Sequence, residues 1–298
     1  KLFGLKENFS FLSNLYLNKK LPKVLLLTGD KGSGKSTLIN HFLYSIFDLE
    51  NYDIETNTLK GNSTFLNQFK NDIFSNIIFV KGADFKSVKT DDIRDLKTKI
   101  LKSSIINKDR FIIFDDIDLF NQNSLNALLK IIEEPSEKNF FFLINNKSKP
   151  LLETIKSRSL EIKIILNSNQ RLEIIENLIN HFKVELIIET KKSLLSPGNF
   201  IKFNFICDEN DISPSGDIIE NISLLLNIFK KNKDVLFINI AFFIIDYYFS
   251  NLNKDNSFNN DKIYEIKHYF FKNLNNYMQY NLSQNSLIND LRVKLNNE

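Results

Sequence analysis

The stretch Gly29-Asp30-Lys31-Gly32-Ser33-Gly34-Lys35-Ser36 constrains this chain more than any other. It fits G-x-x-x-x-G-K-[ST] without a mismatch. Such a turn needs a buried strand before it and a helix after it, and both are legible. Val24-Leu25-Leu26-Leu27 is a continuous apolar run, the mark of a strand covered on both faces in a parallel sheet. From Thr37 to Phe47, the residues Leu38, Phe42 and Ile46 recur at helical spacing. In that setting Gly29, Gly32 and Gly34 let backbone N–H groups turn inward around phosphate oxygens. Lys35 reaches the β and γ phosphates, and the Ser36 hydroxyl can ligate Mg2+. Thr37 joins them at the start of a helix whose positive dipole end favours anions. ATP or ADP with Mg2+ is the expected cofactor.

The rest of the chain extends the same alternation. Phe11, Leu12, Leu15 and Tyr16 predict a short amphipathic helix closed by Pro22. Residues 77–80, 111–114, 140–144 and 160–164 read as further strands. Between them, residues 50–76 read as a loop-rich insertion, and Thr90-Asp91-Asp92 as the cap of a helix through Leu96 and Ile100. Residues 121–134 form a helix with Leu125, Leu128, Leu129 and Ile132 on one stripe, stopped by Pro135, and residues 150–157 a short one. Strands alternating with helices imply right-handed crossovers and a parallel sheet. After Asn167 the strands stop. Helices are expected at 170–182, around 190–205 with a break at Pro197-Gly198, and at 217–229, 234–249 and 262–280. The polar stretch 208–216 reads as a linker.

Chemistry-bearing side chains fall at strand ends. Phe111 to Asp116 is four apolar residues followed by two acids. Asp115 is placed to hold Mg2+, directly or through water, and Asp116 to orient an attacking water. Motor ATPases of this general kind usually carry Glu at the second position, one methylene longer, and a shorter reach weakens catalysis. Asn146 ends another apolar strand, where it can contact the γ-phosphate or the water, or simply close a turn. Arg158, in Ser157-Arg158-Ser159, can serve a neighbouring subunit's nucleotide or be a surface arginine. Arginine is scarce in this lysine-rich chain, which gives weight to a need for its planar guanidinium.

These motifs resemble one family, the AAA+ clamp-loader subunits of replicative DNA polymerases, and within it the bacterial delta-prime type. "SLNALLKIIEEP", Ser124 to Pro135, is similar to the family's Asn-Ala-Leu-Leu-Lys…Glu-Glu-Pro signature. "FFFLINNKSKPLLETIKSRS", Phe140 to Ser159, resembles its sensor-1 strand and trans-arginine segment, and "VKTDDIRDL", Val88 to Leu96, the helix start before the acidic strand. The likeness covers about residues 5–210. It implies a parallel-sheet AAA+ domain over 1–166, a small helical lid over 167–210 and an all-helical oligomerisation collar over 211–298. It also implies a pentameric ring that opens a sliding clamp and places it on primed DNA. Partners would be the other clamp-loader subunits, the clamp and primer-template DNA. By position, Lys35 and Ser36 would bind phosphate and Mg2+, Asp115 would be the acidic metal residue, Asn146 the sensor, and Arg158 the finger completing the next subunit's site.

Three departures shape the expected role. Ser159 stands where the arginine-finger motif usually ends in cysteine. Residues 50–76 contain no cysteine where many relatives carry a four-cysteine zinc module, so no zinc is expected. Asn199, in Ser196-Pro197-Gly198-Asn199, stands where an arginine often senses γ-phosphate. With Asp116, this points to a stator-like subunit that binds nucleotide and hydrolyses little of it, as a part of a DNA polymerase holoenzyme. The alternative is a hydrolysing motor subunit of a clamp loader, or another AAA+ DNA-replication ATPase. An initiator-like protein would want a helix-turn-helix or a strongly basic module, and the C-terminal region shows neither. The net charge of +3 is too small to argue for nucleic acid by itself. No run approaches the ~18 apolar residues of a membrane span. Lys1–Glu7 shows no secretory pattern, and the lone Cys207 can form no internal disulfide, so a cytoplasmic location is expected.

Overall fold

The computed structural model describes residues 1–81, 108–232, 234–252, 260–280 and 282–296. The helix expected from Thr90 through Ile100, and with it the Val88–Leu96 stretch, lies outside the described residues. Contacts gather the chain into two compact units, residues 1–178 with 196–199, and residues 179–195 with 200–298.

The first unit is built on a five-stranded sheet of β1 (Val24–Gly29), β4 (Ile77–Lys81), β5 (Arg110–Asp115), β6 (Asn139–Asn145) and β7 (Leu160–Ile164). Its order is β4-β5-β6-β1-β7, and every pairing is parallel. Leu25 faces Phe142 on one side of β1 and Leu160 on the other. The strands lie where the sequence placed them, and the central β1, β5 and β6 were readable because a parallel strand covered on both faces must be apolar. All six residues of β1 and all seven of β6 are buried.

The period-two pleat sorts these runs into two cores. Leu25, Leu27, Phe111, Ile113, Phe140 and Phe142 face one side. They meet Phe9 and Leu12 from α1 (Lys6–Leu17) and Leu38, Ile39 and Phe42 from α2 (Lys35–Phe47). Leu26, Ile112, Phe114, Phe141 and Leu143 face the other side with Leu125, Leu128, Ile132 and Ile155. The edge strand β7 alternates differently: Leu160, Glu161 and Lys163 are not buried, and charges on an edge discourage pairing with a further strand.

The insertion has more structure than its polarity suggested. Two short strands, β2 (Tyr52–Asp53) and β3 (Thr58–Leu59), pair antiparallel. Helix α3 (Thr64–Lys70) follows, capped by the Ser63 hydroxyl, which accepts from the Leu66 N–H at 3.0 Å. Phe65, Phe69 and Phe74 cluster with Tyr44 and Phe47, edge to face in most pairs. Aromatic burial, with Phe65 and Phe69 at the i, i+4 spacing and the buried Leu66 between them, orders a segment rich in polar residues.

After β5 and β6 come α4 (Gln122–Ile132) and the one-turn α5 (Glu153–Lys156), and then α6 (Ser168–Phe182). Pro197 does not break a helix but begins one: α7 runs Pro197–Glu209. Proline is tolerated at the first helical position, where its missing N–H has no intrahelical partner to lose. In the second unit α8 (Ile218–Asn232), α9 (Leu236–Leu252) and α10 (Asn260–Tyr280) match the expected helices. A further helix, α11 (Gln284–Asn296), was not anticipated. Its Leu287 and Leu291 are buried, and Gln284 Nε2 donates to Asn227 Oδ1 on α8 at 3.0 Å. No described helix is long and apolar enough to cross a membrane.

Candidate functional site

Parallel strands all end on the same edge of their sheet. The ends of β1, β5 and β6 therefore bring Gly29, Asp115 and Asn145 to one rim, beside the point where the chain order reverses around β1. The glycine-rich loop leaves β1 there and enters α2. Gly34 caps α2 with φ +96°, and Gly32 has φ +85°, left-handed conformations that L side chains rarely adopt. At Gly32 a Cβ would also lie 2.5 Å from Ser196 Oγ and 2.8 Å from the Asn199 nitrogen. The Ser196–Asn199 segment is seated directly on the loop: Ser196 Oγ donates to Lys31 O at 2.5 Å and the Gly198 N–H to Gly32 O at 2.8 Å.

Lys35 is almost fully buried and folds back over its own loop, donating to Gly29 O at 2.7 Å and Asp30 O at 2.8 Å. Burial pulls its ammonium down to about 8, against the pull of Asp115, Asp30 and Asp118. Ser36 Oγ donates to Asp115 Oδ2 at 3.3 Å. Burial raises the Asp115 carboxyl above the usual range, and the adjacent Asp116 raises it further, while hydrogen bonds from the Asp116 N–H and Ser36 oppose this. A hydroxyl and a carboxylate converging on one point are the oxygen donors a hard cation such as Mg2+ takes. Thr37 follows, exposed, in the first turn of α2.

Asp116 turns away from the strand in a left-handed conformation, φ 53° and ψ 43°. Both carboxylate oxygens are engaged: Asn146 Nδ2 donates to Oδ1, and Lys31 Nζ lies 3.4 Å from Oδ2. The structure thus brings together Lys35, Ser36, Asp115, Asp116 and Asn146. Arg158 is tied elsewhere. Its Nη1 donates to Thr154 O at 3.1 Å, and its Nη2 pairs with Glu133 Oε1 at 2.9 Å.

Three further side chains belong to the rim, and sequence reasoning did not single them out. Lys31 is the partner of Asp116. Lys147 Nζ pairs with Asp30 Oδ1 at 3.2 Å. Asp118, only 4% exposed, accepts the Asn146 N–H at 3.0 Å and the Ser148 N–H at 2.7 Å, and so fixes the chain leaving β6. A third acid within four residues of a strand end was the available signal for Asp118. Its burial was not visible in sequence.

A parallel sheet in this order with a glycine-rich loop at its rim, followed by helical C-terminal elements, is the architecture of the AAA+ class. The profile of the family described as "DNA polymerase III, delta subunit" matches residues 4–167. The chain belongs to this family, within the gamma/tau/delta-prime group of bacterial AAA+ clamp-loader subunits. It is 26% identical over 228 residues to DNA polymerase III subunit delta' of Buchnera aphidicola subsp. Schizaphis graminum, covering 72% of this chain and 63% of that one. It is 26% identical over 182 residues to the gamma subunit of the same organism, covering 61% and 48%. The chain thus spans from about half to just under two thirds of the length of these relatives. A gamma subunit-related protein of Thermotoga maritima shares the fold, with a TM-score of 0.52 at 16% identity over 96% of this chain and 98% of that one.

Proposed function

We propose that this chain is a stator-like member of a clamp-loader ring that places a sliding clamp on primer-template DNA. It binds nucleotide at Gly29, Gly32, Gly34, Lys35, Ser36 and Thr37, turns it over slowly, and donates Arg158 to the neighbouring subunit's site. Mg2+ would be held by Ser36 and Asp115, where it would polarise the phosphates. In this reading 1–166 is the nucleotide-binding domain, 167–210 the lid and 211–298 the collar that joins sister subunits.

The observation that carries the reading is the engagement of Asp116. Its carboxylate is a methylene shorter than glutamate, starts from a left-handed turn, and is held on one oxygen by Asn146 and on the other by Lys31. A water-activating base must be within hydrogen-bond reach of the proton it takes. Nucleotide binding with little or no steady-state hydrolysis is therefore expected from the purified chain alone, both measured on one sample. Turnover that Asp115→Asn abolishes would favour a motor subunit instead.

A pH dependence follows from Lys35. Phosphate favours the charged ammonium, so binding raises its pKa above the value of about 8 in the free chain and takes up a proton. The affinity is flat at lower pH and falls as pH rises through that value, by up to about tenfold per unit. A titration at about pH 7 and about pH 9 is expected to show roughly tenfold weaker binding at the higher pH. Lys35→Arg, whose guanidinium stays charged, should flatten the profile even where it binds less tightly.

A further inference from the structure

We infer that Glu133 is a positioning residue for Arg158: it holds the guanidinium in the orientation in which the neighbouring subunit's nucleotide meets it. The inference rests on the reading of Arg158 as an arginine supplied in trans.

The two side chains are mounted on one core, each just past the C-terminal end of a helix packed on it. Glu133 is the C-cap of α4, and its N–H donates to Leu129 O at 3.0 Å. Leu125, Leu128, Ile131 and Ile132 bury the apolar face of that helix against the sheet. Arg158 stands two residues beyond α5, whose Ile155 is fully buried in the same cluster. The Arg158 N–H donates to Ile155 O at 3.2 Å, and the Ser159 hydroxyl donates to the same oxygen at 2.9 Å. Both backbones are therefore fixed, and the Glu133–Arg158 pair is set by packing rather than by the flexibility of long side chains.

The geometry of the guanidinium is specific. One terminal nitrogen donates to Thr154 O and the other to Glu133 Oε1. Two partners on two nitrogens determine the plane of a planar fork, which a single contact would leave free to swing. The side chain nevertheless remains 39% exposed, and Glu133 is 44% exposed, so the charge is oriented without being removed from solvent. Exposed ion pairs add little to stability, so a stabilising role accounts poorly for a pair built on two anchored backbones. Orientation accounts for it better. A finger that is already aimed loses less side-chain freedom when it engages, and its benefit falls on the transition state, where misplacement is costly.

The test is ATP hydrolysis by the assembled complex containing Glu133→Ala, Arg158→Ala or both, with Glu134→Ala as a neighbouring control. Glu133→Ala is expected to lower kcat by about tenfold, with KM, nucleotide binding and assembly unchanged. The double variant should be no slower than Arg158→Ala, because Glu133 acts only through the arginine. Glu134→Ala should leave the rate as it is. If the alanine variant fails to assemble, Glu133→Gln carries the test. It keeps an oxygen for Nη2 and loses the charge, and a drop of about threefold is expected. If Arg158→Ala slows the complex while every Glu133 variant keeps the full rate or exceeds it, Glu133 does not aim the arginine. The same conclusion follows if the losses of the double variant add. If Arg158→Ala itself changes nothing, the trans reading of Arg158 fails first, and this inference falls with it.

Discussion

Arg158→Ala is expected to lower ATP hydrolysis by the assembled complex by about 10²-fold or more, with nucleotide binding by this chain unchanged. The expectation comes from where charge develops. Phosphoryl transfer spreads negative charge over the transferring oxygens, and a cation already placed beside them lowers the barrier without reorganisation. In this chain Arg158 stands two residues beyond a one-turn helix, paired with Glu133 and Thr154, while Lys35, Ser36, Asp115, Asp116 and Asn146 form the rim of the sheet. Loss of fold cannot mimic the effect. The side chain is 39% exposed, and an ion pair at such a site contributes about 1 kcal/mol at most. Arg158→Lys separates charge from shape. The ammonium keeps the charge but not the planar fork, so a partial recovery is expected, well short of the native rate. The measurement is steady-state hydrolysis by complexes whose assembly has been verified, and an unchanged rate in Arg158→Ala would refute the donated arginine.

The parts of this architecture that were legible in sequence are those governed by local pattern. β1, β5 and β6 were readable because strands covered on both faces must be apolar throughout. Asp115 and Asn146 could be set beside the glycine-rich loop because parallel strands end on one rim, whatever their order. What escaped notice depends on proximity that sequence spacing does not carry. Lys31 meets Asp116 across 85 residues, and Ser196 meets Lys31 across 165. Asp118 is a buried acceptor for two backbone N–H groups, a role its spacing does not reveal. In the insertion, a few aromatic residues outweigh a polar background, since each buried ring removes a large apolar area from water. Pro197 was misread for a different reason. The same residue ends a helix from within and starts one at its first position, and only the neighbouring backbone decides between the two. The last helix was missed although Leu287, Ile288, Leu291 and Leu295 recur at helical spacing, because polar residues dominate the rest of the segment.

Lys35→Ala is expected to weaken nucleotide binding by about 10²-fold or more while the chain stays folded. Losing one partner of a buried, hydrogen-bonded charge pair costs about 2–5 kcal/mol, and about 1.4 kcal/mol is a factor of ten. The lysine is only 3% exposed, so the phosphate it meets is screened little by water. The fold does not depend on this ammonium. Helix α2 is anchored by Leu38, Ile39, Phe42 and Leu43, all fully buried. The variant loses the lysine's bonds to Gly29 O and Asp30 O, which close the loop locally. Removing them leaves the buried Gly29 carbonyl short of a partner, at a cost of about 1–3 kcal/mol, while the part-buried Asp30 carbonyl can turn to water. A cooperative thermal transition with a midpoint only modestly below the native one, together with lost binding, assigns the effect to the site. Lys35→Arg provides the complementary comparison. It keeps the charge but is longer and planar, so it should recover part of the affinity without restoring the native value. Tight ATP binding retained by Lys35→Ala would refute the assignment of the Gly29–Thr37 loop as the phosphate site, and with it the source of the expected pH dependence.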